Sequence, residues 1–172
     1  MPDINSDISV GLRRYSNNLV IAGRGYILFG LWSVVKALMM ITMQQEFMQN
    51  VLGTVGPSEL SDKAVKLLVV IVFLVFSLIA LYIHLHIGRG AVRYGKGTSS
   101  RRGFIIWGVI VSAVMIFDIP FYFTDKVQSN TIIAASIVVD ITEVYILIDM
   151  MYSAHMLKRL KKEEGRETAD AG

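Results

Sequence analysis

The segment Leu67–Leu81 reads LLVVIVFLVFSLIAL, fifteen residues of which only Ser77 is polar. An apolar run of this length is typical of a helix that crosses a lipid bilayer. The whole chain agrees with this interpretation, because 53% of its 172 residues are hydrophobic and 18% are charged, and its mean hydropathy is +0.53. These values are too apolar for an ordinary soluble domain. We therefore extend the segment to a transmembrane helix over about 64–87.

Three other segments have the length and apolar character of membrane helices, at about 19–43, 103–123 and 131–152. The sequence therefore predicts an all-α fold, a polytopic membrane protein whose bundle of four transmembrane helices occupies residues 19–157. Residues 158–172 follow as a charged cytoplasmic tail. The chain contains no cysteine, which excludes disulfides and thiolate metal ligands.

The N-terminal residues 1–18 are mostly polar, but apolar side chains recur at the spacing of one helix face. With the first residue of the span, this face consists of Ile4, Ile8, Leu12, Tyr15 and Leu19. The pattern predicts a short interfacial amphipathic helix, lying in the headgroup layer before the first span. The alternative is a disordered N-terminal tail.

The basic residues are distributed unevenly between the two predicted sides of the membrane. The N-terminal region up to Gly25 holds three Lys or Arg, the 88–102 connection holds five and the tail holds five. The two other connections together hold three. One predicted side of the membrane thus holds thirteen Lys or Arg and the other holds three, as the positive-inside rule describes for cytoplasmic and outer connections. We therefore expect both termini and the 88–102 connection to be cytoplasmic. This topology accounts for the net charge of +3, and we expect no nucleic-acid partner.

Small residues recur at intervals of seven in the first predicted span, at Gly23, Gly30 and Ala37. Because small residues let two helix backbones approach closely in a membrane, we predict that this face packs against another helix of the bundle.

The fourth predicted span carries carboxylates inside an apolar run, VVDITEVYILIDM at 138–150. Asp140 and Glu143 fall near the membrane midplane, about 60° apart on one helix face, with Ser136 above them. No basic residue is expected at that depth, so desolvation and mutual repulsion favour protonated carboxyls. Together with Asp118 of the third span, these residues are candidates for a proton or hard-cation site. The alternative is a set of neutral acids that hydrogen-bond between helices.

Two further expectations concern the neighbours of these acids. Lys36, in the outer half of the first span, is the candidate ion-pair partner of Asp118. Thr142, Tyr145, Asp149 and Tyr152 share a second face of the fourth helix, opposite the first. A helix that is polar on two opposite sides cannot have either side against lipid, so we predict that protein or a water-filled cavity surrounds it.

A polar cluster is expected toward the cytoplasmic side, formed by His84, His86, Asp149 and Arg24. His84 and His86 are two residues apart and point about 200° away from each other on a helix. We therefore predict no metal site, and we interpret these histidines as interfacial side chains with one ring nitrogen in water. A haem between one of them and His155 is the alternative, but the preferred interpretation includes no cofactor.

Residues 81–97, with the sequence LYIHLHIGRGAVRYGKG, are similar to the cytoplasmic hairpin of small uncharacterised bacterial four-helix membrane proteins. The similarity extends to Phe29-Gly30-Leu31-Trp32-Ser33 in the first span. This resemblance implies the same architecture in a bacterial inner membrane. Since no activity is attached to that group, it assigns no site residues.

For function, the sequence lacks a nucleophile with a supporting base, a zinc signature and a phosphate-binding glycine loop, so we do not expect an enzyme. The preferred interpretation is a small integral membrane protein, a transporter or channel, that handles protons, cations or a small solute through its intramembrane acids. Four helices enclose little space, so a permeation path needs a homo-oligomer or a membrane partner protein within the lipid bilayer. The alternative is a non-catalytic accessory or assembly subunit that docks to another membrane protein through its fourth helix.

Overall fold

A computed structural model describes residues 4–43, 62–118 and 130–170 of the chain. These residues form four helices, α1 (Ile4–Met43), α2 (Asp62–Gly95), α3 (Gly103–Asp118) and α4 (Asn130–Asp170). No strand occurs within these ranges, and the predicted all-α class is confirmed.

The helices pack in chain order around a ring. α1 makes its most extensive contacts with α2 and α4, and the shorter α3 closes the ring between α2 and α4. Consecutive helices alternate in direction, so α2 and α4 run parallel at opposite corners. The buried apolar side chains concentrate in the half of the bundle that contains the α2–α3 turn; the largest are Leu19, Tyr26, Ile87, Tyr94, Phe104, Leu147, Met150 and Leu157.

The α1–α2 contact is a seam of small residues at intervals of seven. Ser16 donates a hydrogen bond from its hydroxyl to the Gly95 carbonyl at 2.6 Å. One interval further along α1, a Cβ added to Gly23 would lie 2.8 Å from the Gly88 carbonyl oxygen. The second interval brings Gly30 against His84. The prediction that the glycine face of the first span packs closely on another helix is therefore confirmed.

α2 continues eight residues beyond its predicted end at residue 87 and stops at Gly95. The glycines of the predicted connection do not break it, because Gly88 and Gly90 provide room for α1 and for Phe104 of α3. Termination comes at Gly97, whose φ of +72° is left-handed. The Gly97 amide donates to the Tyr94 carbonyl at 3.1 Å and the Thr98 amide to the Arg93 carbonyl at 3.0 Å, the pair of bonds that defines a Schellman motif.

The N-terminal segment differs from its prediction, and the C-terminal tail extends the last helix. Residues 4–18 are helical, but they continue α1 without a break. The prediction of a separate helix lying in the headgroup layer is therefore wrong. The predicted tail likewise continues α4 as far as Asp170. The N-terminal extension packs on α4, because Gly11 lies against Leu160 of the tail and the Tyr15 and Tyr152 rings meet edge to face at 6.0 Å. Burial of these apolar side chains holds the N-terminal segment in the bundle.

Among the described residues, two helices are long and apolar enough to cross a membrane, within Asp7–Met39 and Lys63–Gly95. The described apolar part of α3, Gly103–Phe117, is shorter. Large apolar side chains are exposed along these helices, for example Phe76 of α2 and Phe117 of α3, a distribution that soluble monomers rarely show over so large an area. The predicted outer connections and the last residues of the predicted third span, 119–123, lie outside the described residues.

Candidate functional site

The centre of the site is a hydrogen bond between His84 of α2 and Glu143 of α4. The His84 Nε2 and Glu143 Oε1 atoms are 2.5 Å apart. Both residues are buried, with 8% and 6% of their surfaces exposed. Buried ionisable groups are rarely found without a partner because desolvation of a lone charge is costly. Here each group is the other's partner, and the bond joins two helices that are not adjacent in the ring.

The second ring nitrogen of His84 determines how the pair holds its protons. His84 Nδ1 lies 2.7 Å from the Ala80 carbonyl oxygen, one turn earlier on α2. A carbonyl can only accept, so Nδ1 carries a proton and donates it. The bond between Nε2 and Oε1 then contains one further proton, carried by the nitrogen as an ion pair or by the oxygen as a neutral pair. In both arrangements the net charge of the pair is zero.

Tyr26 of α1 forms the third side of the site. Its ring stacks on the His84 imidazole with centroids 4.7 Å apart and an interplanar angle of 17°. The Tyr26 hydroxyl is fully enclosed and lies within electrostatic reach of Glu143. It makes no hydrogen bond of ordinary geometry to a described residue. A buried hydroxyl without a partner is uncommon, and the Glu143 carboxylate is the neighbouring group that can accept its proton.

Gly30 holds the imidazole from the α1 side. A Cβ added at this position would lie 2.5 Å from the His84 Cβ and 3.0 Å from its Cγ, well inside van der Waals contact. The absence of a side chain therefore lets α1 approach His84 closely. As a result the imidazole is fixed between Gly30, Tyr26 and Glu143.

The candidates from the sequence are only partly brought together. Glu143 is buried at the site, and Asp140 is half-buried one turn earlier on α4. The expectation that no basic group lies at the depth of Glu143 is wrong, because His84 is bonded to it. Lys36, Asp118 and Ser136 belong to α1, α3 and α4, but their side chains lie outside the described part of the chain.

The predicted cytoplasmic-side cluster is not assembled as one group. His84 points into the bundle, whereas His86 is exposed and stacks on Tyr82 with ring centroids 6.3 Å apart. This divergence agrees with the spacing of two residues. Arg24 is exposed, and Asp149 is half-buried on the face of α4 that points away from Glu143. In the described ranges, no three His, Asp or Glu side chains are arranged to hold a metal ion.

The two faces of α4 differ sharply in burial. Glu143, Leu147 and Met150 point into the bundle, whereas Tyr145 and Tyr152 on the opposite face are 69% and 55% exposed. Within a single copy of the chain, protein therefore does not surround both faces, and the predicted alternative of a water-filled cavity stays a prediction. The Glu143 face is buried in the bundle, whereas the opposite face is largely exposed and touches α1 where Tyr15 meets Tyr152.

Sequence reasoning did not identify Tyr26 as part of the site. One signal was present, because Tyr26 lies three residues after Gly23 and four before Gly30, on the helix face that those glycines define. The pairing of His84 with Glu143 had no comparable signal, since it depends on the relative heights of two helices that are distant in sequence.

Comparison with known proteins identified no relative of this chain. No family model matches the sequence, and no match was found among curated proteins or solved structures.

Proposed function

We propose that this chain is an integral membrane protein that handles protons through the buried His84–Glu143 pair. The single observation that supports this most directly is the 2.5 Å bond between His84 Nε2 and Glu143 Oε1, which contains one proton between two titratable groups. Both groups belong to types that exchange protons in membrane pumps and transporters. A pair with zero net charge is also the form that an apolar environment tolerates best.

The geometry favours a proton over a metal cation. A hard cation requires six or more oxygen ligands in most protein sites. Here one carboxylate oxygen is engaged by His84, and the imidazole presents a proton to Ala80 rather than a lone pair. The remaining close neighbour is the Tyr26 hydroxyl, which can donate or accept a proton.

The proposed topology has four membrane-spanning helices, with both termini and the α2–α3 turn in the cytoplasm. The distribution of Lys and Arg between the connections supports it. A reporter enzyme fused after Ser58 should be active only on the outer side of the membrane. A reporter fused after Ser58 that proves to lie in the cytoplasm would overturn the topology. As a control, the same reporter fused after Gly97 should lie in the cytoplasm.

The proton proposal is tested by flux measurements in liposomes. The full chain is reconstituted with a pH-sensitive dye inside the vesicles, and a potassium diffusion potential drives protons inward. We expect the wild-type protein to acidify the lumen faster than protein-free vesicles. Glu143→Gln should abolish the difference, because an amide donates to His84 Nε2 and keeps the bond but cannot exchange a proton at neutral pH.

Asp149→Asn is the matched control for this variant. Asp149 lies on the same helix and undergoes the same acid-to-amide change, but it faces away from the site. The control should keep the wild-type rate. Equal losses in the two variants, or a wild-type rate no faster than that of protein-free vesicles, would overturn the proposal.

A second candidate function is an accessory subunit that docks through α4. An exposed stripe follows helical spacing along this helix and consists of Val138, Ile141, Tyr145, Ile148 and Tyr152. A tyrosine hydroxyl in the middle of a span is costly against lipid, which favours a protein neighbour for Tyr145. Disulfide crosslinking after Tyr145→Cys tests for a second copy, because the chain has no other cysteine. A stable partner that co-purifies with the wild type and is lost after Tyr145→Lys would indicate a different subunit.

A further inference from the structure

A basic pocket lies beside the α2–α3 turn, on the side of α2 that faces away from the His84–Glu143 bond. Its volume is about 530 Å³, and three arginines line it, Arg89 and Arg93 of α2 and Arg101 of the turn. All three are exposed. Arg89 and Arg93 are one helical turn apart and therefore lie on the same face of α2.

The charge of this pocket is not balanced by acids nearby in the sequence. The chain contains no aspartate or glutamate between Lys63 and Phe117. In the described part of the chain, the salt bridges His84–Glu143 and Arg159–Glu163 include none of the three arginines. None of the three arginines is neutralised there, so the pocket presents several guanidinium groups to one small volume.

The turn holds the third arginine in place. Gly97, with its positive φ, reverses the chain after α2, and the Arg101 amide then donates to the Ser99 hydroxyl at 3.2 Å. Ser99 and Gly103, the first residue of α3, also line the pocket. The start of α3 adds the partial positive charge of a helix N-terminus to the same wall.

An apolar hollow adjoins the basic pocket and shares Tyr82 and His86 with it. This hollow, of about 100 Å³, is completed by Ile83 and Trp107. Tyr82 and Trp107 are 69% and 45% exposed, so their rings form an open apolar wall. At one end of the α2 span, the structure thus places basic groups that suit an anion next to an aromatic wall that suits a hydrocarbon chain. Clusters of basic side chains at the cytoplasmic end of a membrane helix commonly bind lipid headgroups.

We propose that this pocket binds the phosphate of an anionic phospholipid, with Arg89, Arg93 and Arg101 as its ligands and the acyl chain along Tyr82 and Trp107. Guanidinium groups suit phosphate oxygens because they donate two parallel hydrogen bonds. The inference rests on the membrane location of α2 but not on proton transfer. Loss of lipid binding and loss of proton flux are separate measurements.

Native mass spectrometry of the full chain in neutral detergent tests the proposal. The protein is titrated with phosphatidylglycerol and, separately, with phosphatidylcholine. We expect tighter retention of phosphatidylglycerol, weakened about tenfold or more by Arg89→Gln combined with Arg93→Gln. Arg101→Gln alone, in the turn outside the helices, should weaken it in the same direction.

The double change Arg13→Gln with Arg14→Gln is the matched control, because it removes two exposed charges from the same predicted side of the membrane. It should alter retention less than threefold, which is roughly the effect of general surface attraction. Equal losses in the two double variants, or equal retention of the two lipids, would overturn the proposal.

A parallel titration with inorganic phosphate shows whether the pocket binds the phosphate of a lipid headgroup or that of a soluble compound. The readout is the thermal unfolding temperature of the wild type and the Arg89→Gln, Arg93→Gln variant. If phosphate stabilises the protein through these arginines while phosphatidylglycerol is retained no better than phosphatidylcholine, the lipid assignment is wrong and the site takes a soluble phosphate compound.

Discussion

Gly30 and His84 meet so closely that a single methyl group on Gly30 would lie 2.5 Å from the His84 Cβ. Gly30→Ala should therefore push α1 away from α2 or turn the imidazole out of its bond with Glu143. We expect a loss of about 1–3 kcal/mol in the free energy of unfolding, the usual cost of overpacking. Denaturant titration in mild detergent measures it.

Gly25→Ala is the control for this change, since a Cβ added to Gly25 meets nothing within 4 Å. It should be neutral or stabilising by up to about 1 kcal/mol, because alanine is the better helix former. If both variants behave alike, close packing at His84 does not determine the stability of the bundle.

The bond between His84 and Glu143 can be broken or replaced at the same position. Glu143→Leu leaves the His84 Nε2 atom buried without a partner, which should cost about 1–3 kcal/mol. Glu143→Gln supplies an amide donor to that nitrogen and should cost less than about 1 kcal/mol. Equal destabilisation of the two variants, measured by the same titration, would show that the hydrogen bond contributes no stability.

Tyr26→Phe removes an enclosed hydroxyl that has no ordinary hydrogen bond to a described residue. The ring stack on His84 is kept, so we expect stability to be unchanged or slightly raised. Thermal unfolding of the purified protein checks this. A destabilisation of more than about 1 kcal/mol, the typical worth of a buried hydrogen bond, would mean that the hydroxyl is bonded in the folded state.

Gly97 ends α2 with a φ of +72°. Gly97→Ala should destabilise the protein by about 1 kcal/mol, because a Cβ disfavours the left-handed conformation. Gly103→Ala is the comparison, since a Cβ at Gly103 meets nothing within 4 Å and its φ is not positive. Equal unfolding temperatures for the two variants would contradict the role given to Gly97.

The helical architecture could be predicted from sequence because its signals are local. The apolar run of α2 and the glycines of α1 are read within one helix. The ends of the helices were less predictable: Gly88 and Gly90 resemble a loop, but they are contact points for α1 and α3. A glycine that breaks a helix and one that admits a neighbour are identical in a single sequence.

The site could be predicted only in part. Glu143 is conspicuous as a carboxylate in an apolar run, but its partner depends on the relative heights of α2 and α4. His84 lies 22 residues after the start of α2, and Glu143 lies 13 residues after the start of α4. The difference of nine residues is about 14 Å of helix. Counting depth from a common membrane plane therefore separates two residues that the fold brings together.

The seam of small residues along α1 and α2 also fixes how far the two helices can slide along each other. Sliding one helix by a single residue would drive side chains into the backbone at Gly23 and Gly88, so the longitudinal position of α2 is fixed by contacts outside the site. Gly95, bonded through its carbonyl to Ser16, lies 11 residues from His84, or about 16 Å along the helix. The position of the imidazole relative to Glu143 thus depends partly on contacts about 16 Å away. A bulky residue in place of Gly95 would shift α2 and disturb the His84–Glu143 bond without contacting either residue.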